Sequence, residues 1–351
     1  MQQGNKNEKT EYLVGDQALK KVRRSGKKDS TGIFSLRYPI QRGLIMDWEQ
    51  VEAILSFAFE SIDVKDPSMY PVLIAVPGPF MPNDHIESIA ELLFEVFKVK
   101  HVYFELPSVL NFRSQKTSTG LAVESGSALT YVTPIVDGKP LYGLTRKFTL
   151  AGQDATKFAI SVIAKSGFAV DPSDEYRVAQ HIKTNLAYTC SGLKHEFELL
   201  QKNPSEFRQE LEMSGEKMVL DKECFLIPEI MFEPGLVGIV QGEVSNLPLT
   251  IFETANTAAG SDQNLAAKLL SNIVIGGGNL LFNGMNTRIE SELKDIVKKS
   301  KSKATVKVTQ PSTDNLSAVV GGANWSDKNV SDINWLSRNE YKQGGISKFF
   351  K

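Results

Sequence analysis

Cysteine is almost missing: Cys190 and Cys224 are the 2 cysteines in 351 residues. Two do not make a disulfide framework, so a reducing compartment is the expectation. No apolar run approaches the roughly 20 residues that span a bilayer, and the N-terminus has no signal-peptide core. An excess of one charge is missing too. Lys and Arg number 40 against 41 Asp and Glu, leaving −1. That balance argues against a general nucleic-acid or membrane-surface binder. The 4 histidines, His85, His101, His181 and His195, have no metal-ligand spacing with one another or with the cysteines. His195 precedes Glu196, but no H-E-x-x-H follows. The expectation is an intracellular, soluble chain with no metal site.

What is present is a core. The chain is 41% hydrophobic and long enough for two or three domains. Residues 1–30 are polar, with a basic cluster at Lys20, Lys21, Arg23, Arg24, Lys27 and Lys28 that reads as a solvated arm or an acidic-partner contact. From Ile33 strands and helices alternate. Residues 46–62 have helical spacing, and YPVLIAVPG (70–78) is a buried strand stopped by Pro77 and Gly78. Residues 83–99 form an amphipathic helix with Ile86, Ile89, Ala90, Leu93, Val96 and Phe97 on one stripe, capped by Asn83 or Asp84. HVYFEL (101–106) is a strand, residues 119–136 a hairpin, and residues 151–235 mostly helical. Cys190 falls on the apolar stripe of a helix and reads as core. The alternation predicts an α/β protein.

Two stretches could carry chemistry. In GLAVESGSALTYVTPI (120–135) a Ser125-Gly126-Ser127 bend joins two apolar runs. Such a bend turns a hairpin and can also cup a phosphate with backbone N–H groups. In IVIGGGNLLFNG (273–284) a strand runs into three glycines and then a helix. Glycine lets a ligand approach the backbone, and a helix N-terminus attracts anions. The run is not G-x-G-x-x-G, no Walker lysine follows, and tight chain crossing accounts for it equally well.

Taken together, ten stretches resemble the actin family. They are EYLVGDQALKK (11–21), RYPIQRGLIMDWEQVE (37–52), PVLIAVPGPFMP (71–82), LLFEVFKV (92–99), FTLAGQDATKF (148–158), VAQHIKTNLAYTC (178–190), ECFLIPEIMFEPGLVG (223–238), IGGGNLLFNGMNTRI (275–289), AVVGGANWSD (318–327) and WLSRNEYKQGG (335–345). The matches run in order from about residue 11 to the end. The resemblance implies an actin-like ATPase-domain fold: two α/β domains around a cleft, each with a smaller lobe, the first domain N-terminally incomplete. It divides the chain into residues 1–38 as a basic arm and remnant of the outer small lobe, 39–114 plus 317–351 as the first domain, 115–150 plus 236–316 as the second, and 151–235 as a helical lobe of the second.

Departures from the family pattern set the functional expectation. The family's first strand–loop–strand, with its first phosphate loop, precedes the region matched here. The uncovered sheet this leaves is expected to rely on a partner. The second phosphate loop, normally Asp-Ser-Gly-Asp-Gly, reads Glu124-Ser125-Gly126-Ser127-Ala128. Pro107 stands where the family has a water-orienting glutamine, and Tyr131 stands where it has a histidine. Phosphoryl transfer rests on positioned charge and an oriented water. With Pro107, Ser127 and Tyr131 in those places, the expectation is that the chain is not an enzyme.

The adenosine side matches better. Ser125, Gly126, Lys183, Gly277, Gly278, Asn279 and Phe282 are the candidate cofactor-binding residues, although Asn315 replaces a lysine of that side. The structural alternative stands for each: glycines that pack strand on helix, Phe282 in the core, Lys183 on a solvated face. ATP or ADP is expected to be absent or weakly bound. The resemblance implies an architectural subunit of a cytoskeletal, axonemal or chromatin-remodelling assembly, with protein partners and no direct nucleic-acid or membrane contact. The cytoplasm and cytoskeleton are the expected location, the nucleus a second. An ATP-binding, slowly hydrolysing filament subunit is the alternative. A partner groove is expected to be lined by Phe112, Tyr142 and Trp325.

Overall fold

The computed structural model describes residues 12–18, 37–172, 174–213, 216–239, 245–311, 314 and 316–350. The basic cluster Lys20–Lys28 and Asn315 lie outside the described residues. The chain divides into two compact units: Met1–Val72, Met81–Tyr103 and Trp335–Ile346 form the first, and Leu73–Phe80, Phe104–Asn334 and Ser347–Lys351 form the second.

In the first unit, Asp47 starts the helix Trp48–Ser61 by accepting the Gln50 N–H at 3.1 Å, a side-chain cap for an orphan donor. The Trp48 indole meets His85 edge-on at 5.8 Å. The helix Asn83–Glu91 buries Ile86, Ile89 and Ala90 as the stripe predicts. It differs from expectation at both ends. Neither Asn83 nor Asp84 caps it; the residue before it is Pro82, whose carbonyl takes the His85 and Ile86 N–H groups. Beyond Glu91 the winding loosens to a π-helix over Leu92–Val96, a local widening found as single turns within helices. Both Leu93 and Phe94 are fully buried there. The helix Arg338–Gly344 opens with a Ser337–Glu340 capping box, and Arg338 pairs with Glu95.

The second unit is built on a mixed sheet. Its strands are β1 (Gly120–Ser125), β2 (Thr130–Val136), β3 (Lys139–Pro140), β4 (Arg146–Phe148), β5 (Ile273–Gly276) and β6 (Val308–Thr309). The order is β6-β5-β1-β2-β3, with β4 also paired to β2. β5 runs parallel to β1 and β6, and β1 and β2 form the antiparallel hairpin expected over 119–136. Both faces of the sheet are covered, which explains strands that read as near-continuous apolar runs. Leu121, Val123, Val132, Ile273 and Ile275 enter one core cluster, while Ala122, Tyr131, Ile135 and Val274 enter another. The split follows the period-two alternation of side chains.

Seven helices of this unit matter below: α1 (Pro107–Arg113), α2 (Gly152–Lys165), α3 (Glu175–Asn185), α4 (Lys222–Glu229), α5 (Leu247–Ala259), α6 (Met285–Lys299) and α7 (Ser317–Asn329). α1 packs with the smaller cluster; α2 to α6 supply the larger. Within residues 151–235 the structure adds a hairpin, Gln209–Met213 with Glu216–Leu220, that the helical expectation missed. Four of its ten strand residues are charged, Glu210, Glu212, Glu216 and Lys217, so neither strand reads as a continuous apolar run. Cys190 is buried, as expected, but follows α3 in an extended segment and is not helical.

Candidate functional site

The candidate residues lie in the second unit, where three chain segments meet: the β1–β2 turn, the start of α2, and the glycine run after β5. The turn closes through the Gly126 N–H, which donates to the Leu129 carbonyl at 2.9 Å. The carbonyls of Gly126 and Ser127 accept the N–H groups of Gly152 and Gln153 at 3.0 and 2.7 Å. Orphan donors at the start of α2 are thereby satisfied by the turn itself.

A directed relay of hydrogen bonds fixes the next layer. Asn279 Nδ2 donates to Ser125 Oγ at 3.0 Å, Ser125 and Thr130 hydroxyls lie 2.6 Å apart, and Thr130 Oγ1 donates to the Leu150 carbonyl at 2.6 Å. Since the Thr130 hydrogen goes to Leu150, the Ser125 hydrogen goes to Thr130. Ser125 is fully buried, and its hydroxyl is a structural link between β1 and β2. Lys183 of α3 donates to the Gly152 carbonyl at 3.1 Å. Burial lowers its ammonium to about 8, because a charge removed from water is disfavoured.

Gly277 is held at φ +87°. A Cβ there would stand 2.4 Å from the Ser125 carbonyl oxygen and 2.6 Å from Glu124 Oε1. Only glycine allows β5 to turn so close to β1. Gly278, the next residue, is exposed, Asn279 is buried, and Phe282 is 8% exposed within the larger core cluster. Ser125, Gly126, Gly277 and Asn279 are therefore gathered by the turn, and Lys183 joins through Gly152. Phe282 takes its structural alternative.

Around Gly276 and Gly277 several buried polar atoms have no hydrogen-bond partner: Asn111 Oδ1, Glu124 Oε2 and Asn279 Oδ1. A Cβ on Gly276 would touch Asn111 Nδ2 at 2.2 Å and Glu124 Oε2 at 3.1 Å. Burial raises the Glu124 carboxyl to about 7. Its cross-strand neighbour Tyr131 is pushed up by burial first and by the Glu124 charge second. Asn111, Thr130 and Gly152 were not among the sequence candidates. An asparagine in the apolar run VLNF (109–112) was the one signal for Asn111; nothing local marks the other two.

The residues that replace family groups have structural roles here. Pro107 is the first residue of α1, where a missing N–H costs nothing and the fixed φ suits the helix. Tyr131 packs against Phe80 at 5.5 Å. Of the expected groove lining, Phe112 is corrected, while Tyr142 and Trp325 are half-buried. Phe112 is 2% exposed, in the core. The Tyr142 hydroxyl is committed to buried Glu105 at 2.6 Å. Trp325 lies under the Arg113 guanidinium at 3.9 Å. No three His, Cys, Asp or Glu side chains come together as a metal cluster among the described residues, and none of the helices described is long and apolar enough to cross a membrane.

Comparison with known proteins agrees with this arrangement. A family model described as Actin matches residues 2–220 and 171–349. The chain is similar to Actin-related protein 2 of Saccharomyces cerevisiae, 27% identical over 97% of this chain and 86% of that protein. It is also similar to an actin-like protein of Neurospora crassa, 25% identical over 95% of this chain and 84% of that one. These matches overturn one expectation. The chain was expected not to be an enzyme, but the family it matches is one of ATPases. Substitutions at Pro107, Ser127 and Tyr131 do not remove it from that family. Two overlapping matches that leave only its extreme ends uncovered show that this chain belongs to the actin family.

Proposed function

We propose that this protein is an architectural subunit of a multi-protein cytoskeletal assembly in the cytoplasm, and that it holds an adenine nucleotide in its second unit mainly by the adenosine end. The observation that carries the reading is the family match along the chain. The similarity to a protein named Actin-related protein 2 favours an actin-related subunit. For the nucleotide, the residues fit. Exposed Gly278 lets a ligand reach the backbone, Lys183 offers an amine beside Gly152, and the unpartnered oxygens of Glu124 and Asn279 accept donors. Buried polar atoms without partners are costly, and a polar ligand relieves that cost. The Ser125 hydroxyl is spent on Thr130, so the turn adds little grip on a terminal phosphate. The bound nucleotide would supply a phosphoanhydride; this chain's residues orient the base and sugar against the glycine turn.

The test has two parts on the full chain. Native extract is fractionated by size, and the protein is expected in a high-mass fraction with other actin-family chains. Binding of fluorescent ADP and ATP analogues to the purified protein is expected to be equal within about threefold, which is under 1 kcal/mol. Elution as a lone monomer overturns the subunit reading. A strong preference for ATP overturns the adenosine-end reading.

A further inference from the structure

A cavity of about 220 Å³ lies between the C-terminal half of α2 and the start of α3. Its walls are Ile160, Ile163, Ala164, Phe168, Val170 and Val178. Ile163 and Val178 are buried core residues, while Ile160, Phe168 and Val170 pack against the same core from its edge. One charged side chain lies among these apolar ones: Glu175, in the first turn of α3. The nearby cation Arg177 is turned to Asp174 at 2.9 Å, and no ion pair to Glu175 is formed among the described residues.

We propose that this cavity is a binding site for a small organic ammonium with an aromatic or branched apolar body. Size sets the body: a protein cavity of roughly 150 Å³ lined by apolar side chains takes a benzene-sized guest. At about 220 Å³ a single ring with one or two further carbons fits. Charge sets the head group. A carboxylate at the lining attracts a cation, and a neighbouring low-dielectric wall strengthens the attraction over that of a fully exposed pair. An anion of the same shape meets repulsion, and a neutral analogue gains only burial. The site is separate from the glycine turn, although the same two helices carry the Lys183–Gly152 contact.

The experiment uses the full chain with its isoleucine and valine methyls labelled for NMR. Benzylamine, benzyl alcohol and benzoate are titrated to about 10 mM, a range that covers millimolar affinity. Benzylamine is expected to shift the Ile160, Ile163 and Val178 methyls and to bind about fivefold tighter than benzyl alcohol, with benzoate weakest. Glu175→Gln, a solvent-edge change that leaves the core intact, is expected to abolish the preference for the amine while leaving benzyl alcohol binding unchanged. Ala164→Leu, which fills the space, is expected to block all three. Methyls that do not respond to any of the three overturn the site. Equal binding of all three, or an amine preference that survives Glu175→Gln, overturns the assignment of the ligand class.

Discussion

Arg288 of α6 and Glu229 of α4 form a buried ion pair, Nη1 to Oε1 at 2.9 Å, with side chains 6% and 0% exposed. The pair is fully dressed. Arg288 also reaches the Cys190 carbonyl at 2.8 Å and Glu292 at 2.8 Å, and its guanidinium lies over the Phe232 ring at 4.4 Å. The Cys190 thiol donates to Glu229 at 3.2 Å, and burial, ahead of the Glu229 charge, pushes it up to about 12. It is therefore a core thiol, protonated at neutral pH.

Removing one partner of such a pair strands the other charge. Arg288→Met is expected to destabilise the second unit by about 3–5 kcal/mol. The double change Arg288→Met, Glu229→Leu is expected to cost less than the single one. Urea unfolding of both variants measures the difference; a double variant no better than the single would show that packing, and not the stranded carboxylate, sets the cost.

Gly277 and Gly167 both have left-handed backbones, φ +87° and +85°, but only Gly277 is crowded. A Cβ on Gly167 meets nothing within 4 Å. Gly167→Ala is expected to cost about 1 kcal/mol, the conformational part alone. Gly277→Ala adds the clash with the Ser125 carbonyl and is expected to cost more than about 3 kcal/mol. Thermal unfolding of the two variants separates strain from sterics.

Glu124 titrates at about 7 when folded against 4.5 for the free side chain. Between those values the folded state keeps a proton that the unfolded chain has released. Stability from this group therefore falls as pH rises from about 4.5 to about 7, then stays level. A gap near 2.5 pH units bounds the loss at about 3 kcal/mol. Glu124→Gln is expected to be more stable than the parent at pH 8 and similar at pH 4.5. Equal stabilities at pH 8 would show that the carboxylate is solvated when ionised.

Lys183 connects α3 to the start of α2 and borders the proposed nucleotide site. Lys183→Met is expected to weaken ADP and ATP analogues alike, by about tenfold, or roughly 1.4 kcal/mol. A loss confined to ATP would place the amine on a terminal phosphate.

Residue patterns alone determined most of the elements and the family resemblance. Helical stripes such as Ile86–Ile89–Ala90 and apolar strands such as 273–276 follow from side-chain periods that are local properties of the chain. The ordered motifs carry the family resemblance by themselves, and Gly277 was legible as a special backbone position. Tertiary structure decided what the site residues do. Asn279 and Ser125 are 154 residues apart, and the Ser125 hydrogen is committed only because Thr130 and Leu150 lie beyond it. Asn111 reaches the Ile275 carbonyl across 164 residues. Cys190 was placed on a helix because its neighbours share a helical stripe, yet the chain after α3 runs extended, with the Thr189 N–H donating to the Asn283 carbonyl. The π-turn at Leu92–Val96 and the charged hairpin 209–220 were likewise set by packing and pairing. Contacts between distant segments depend on which faces the fold brings together, and no local period encodes that.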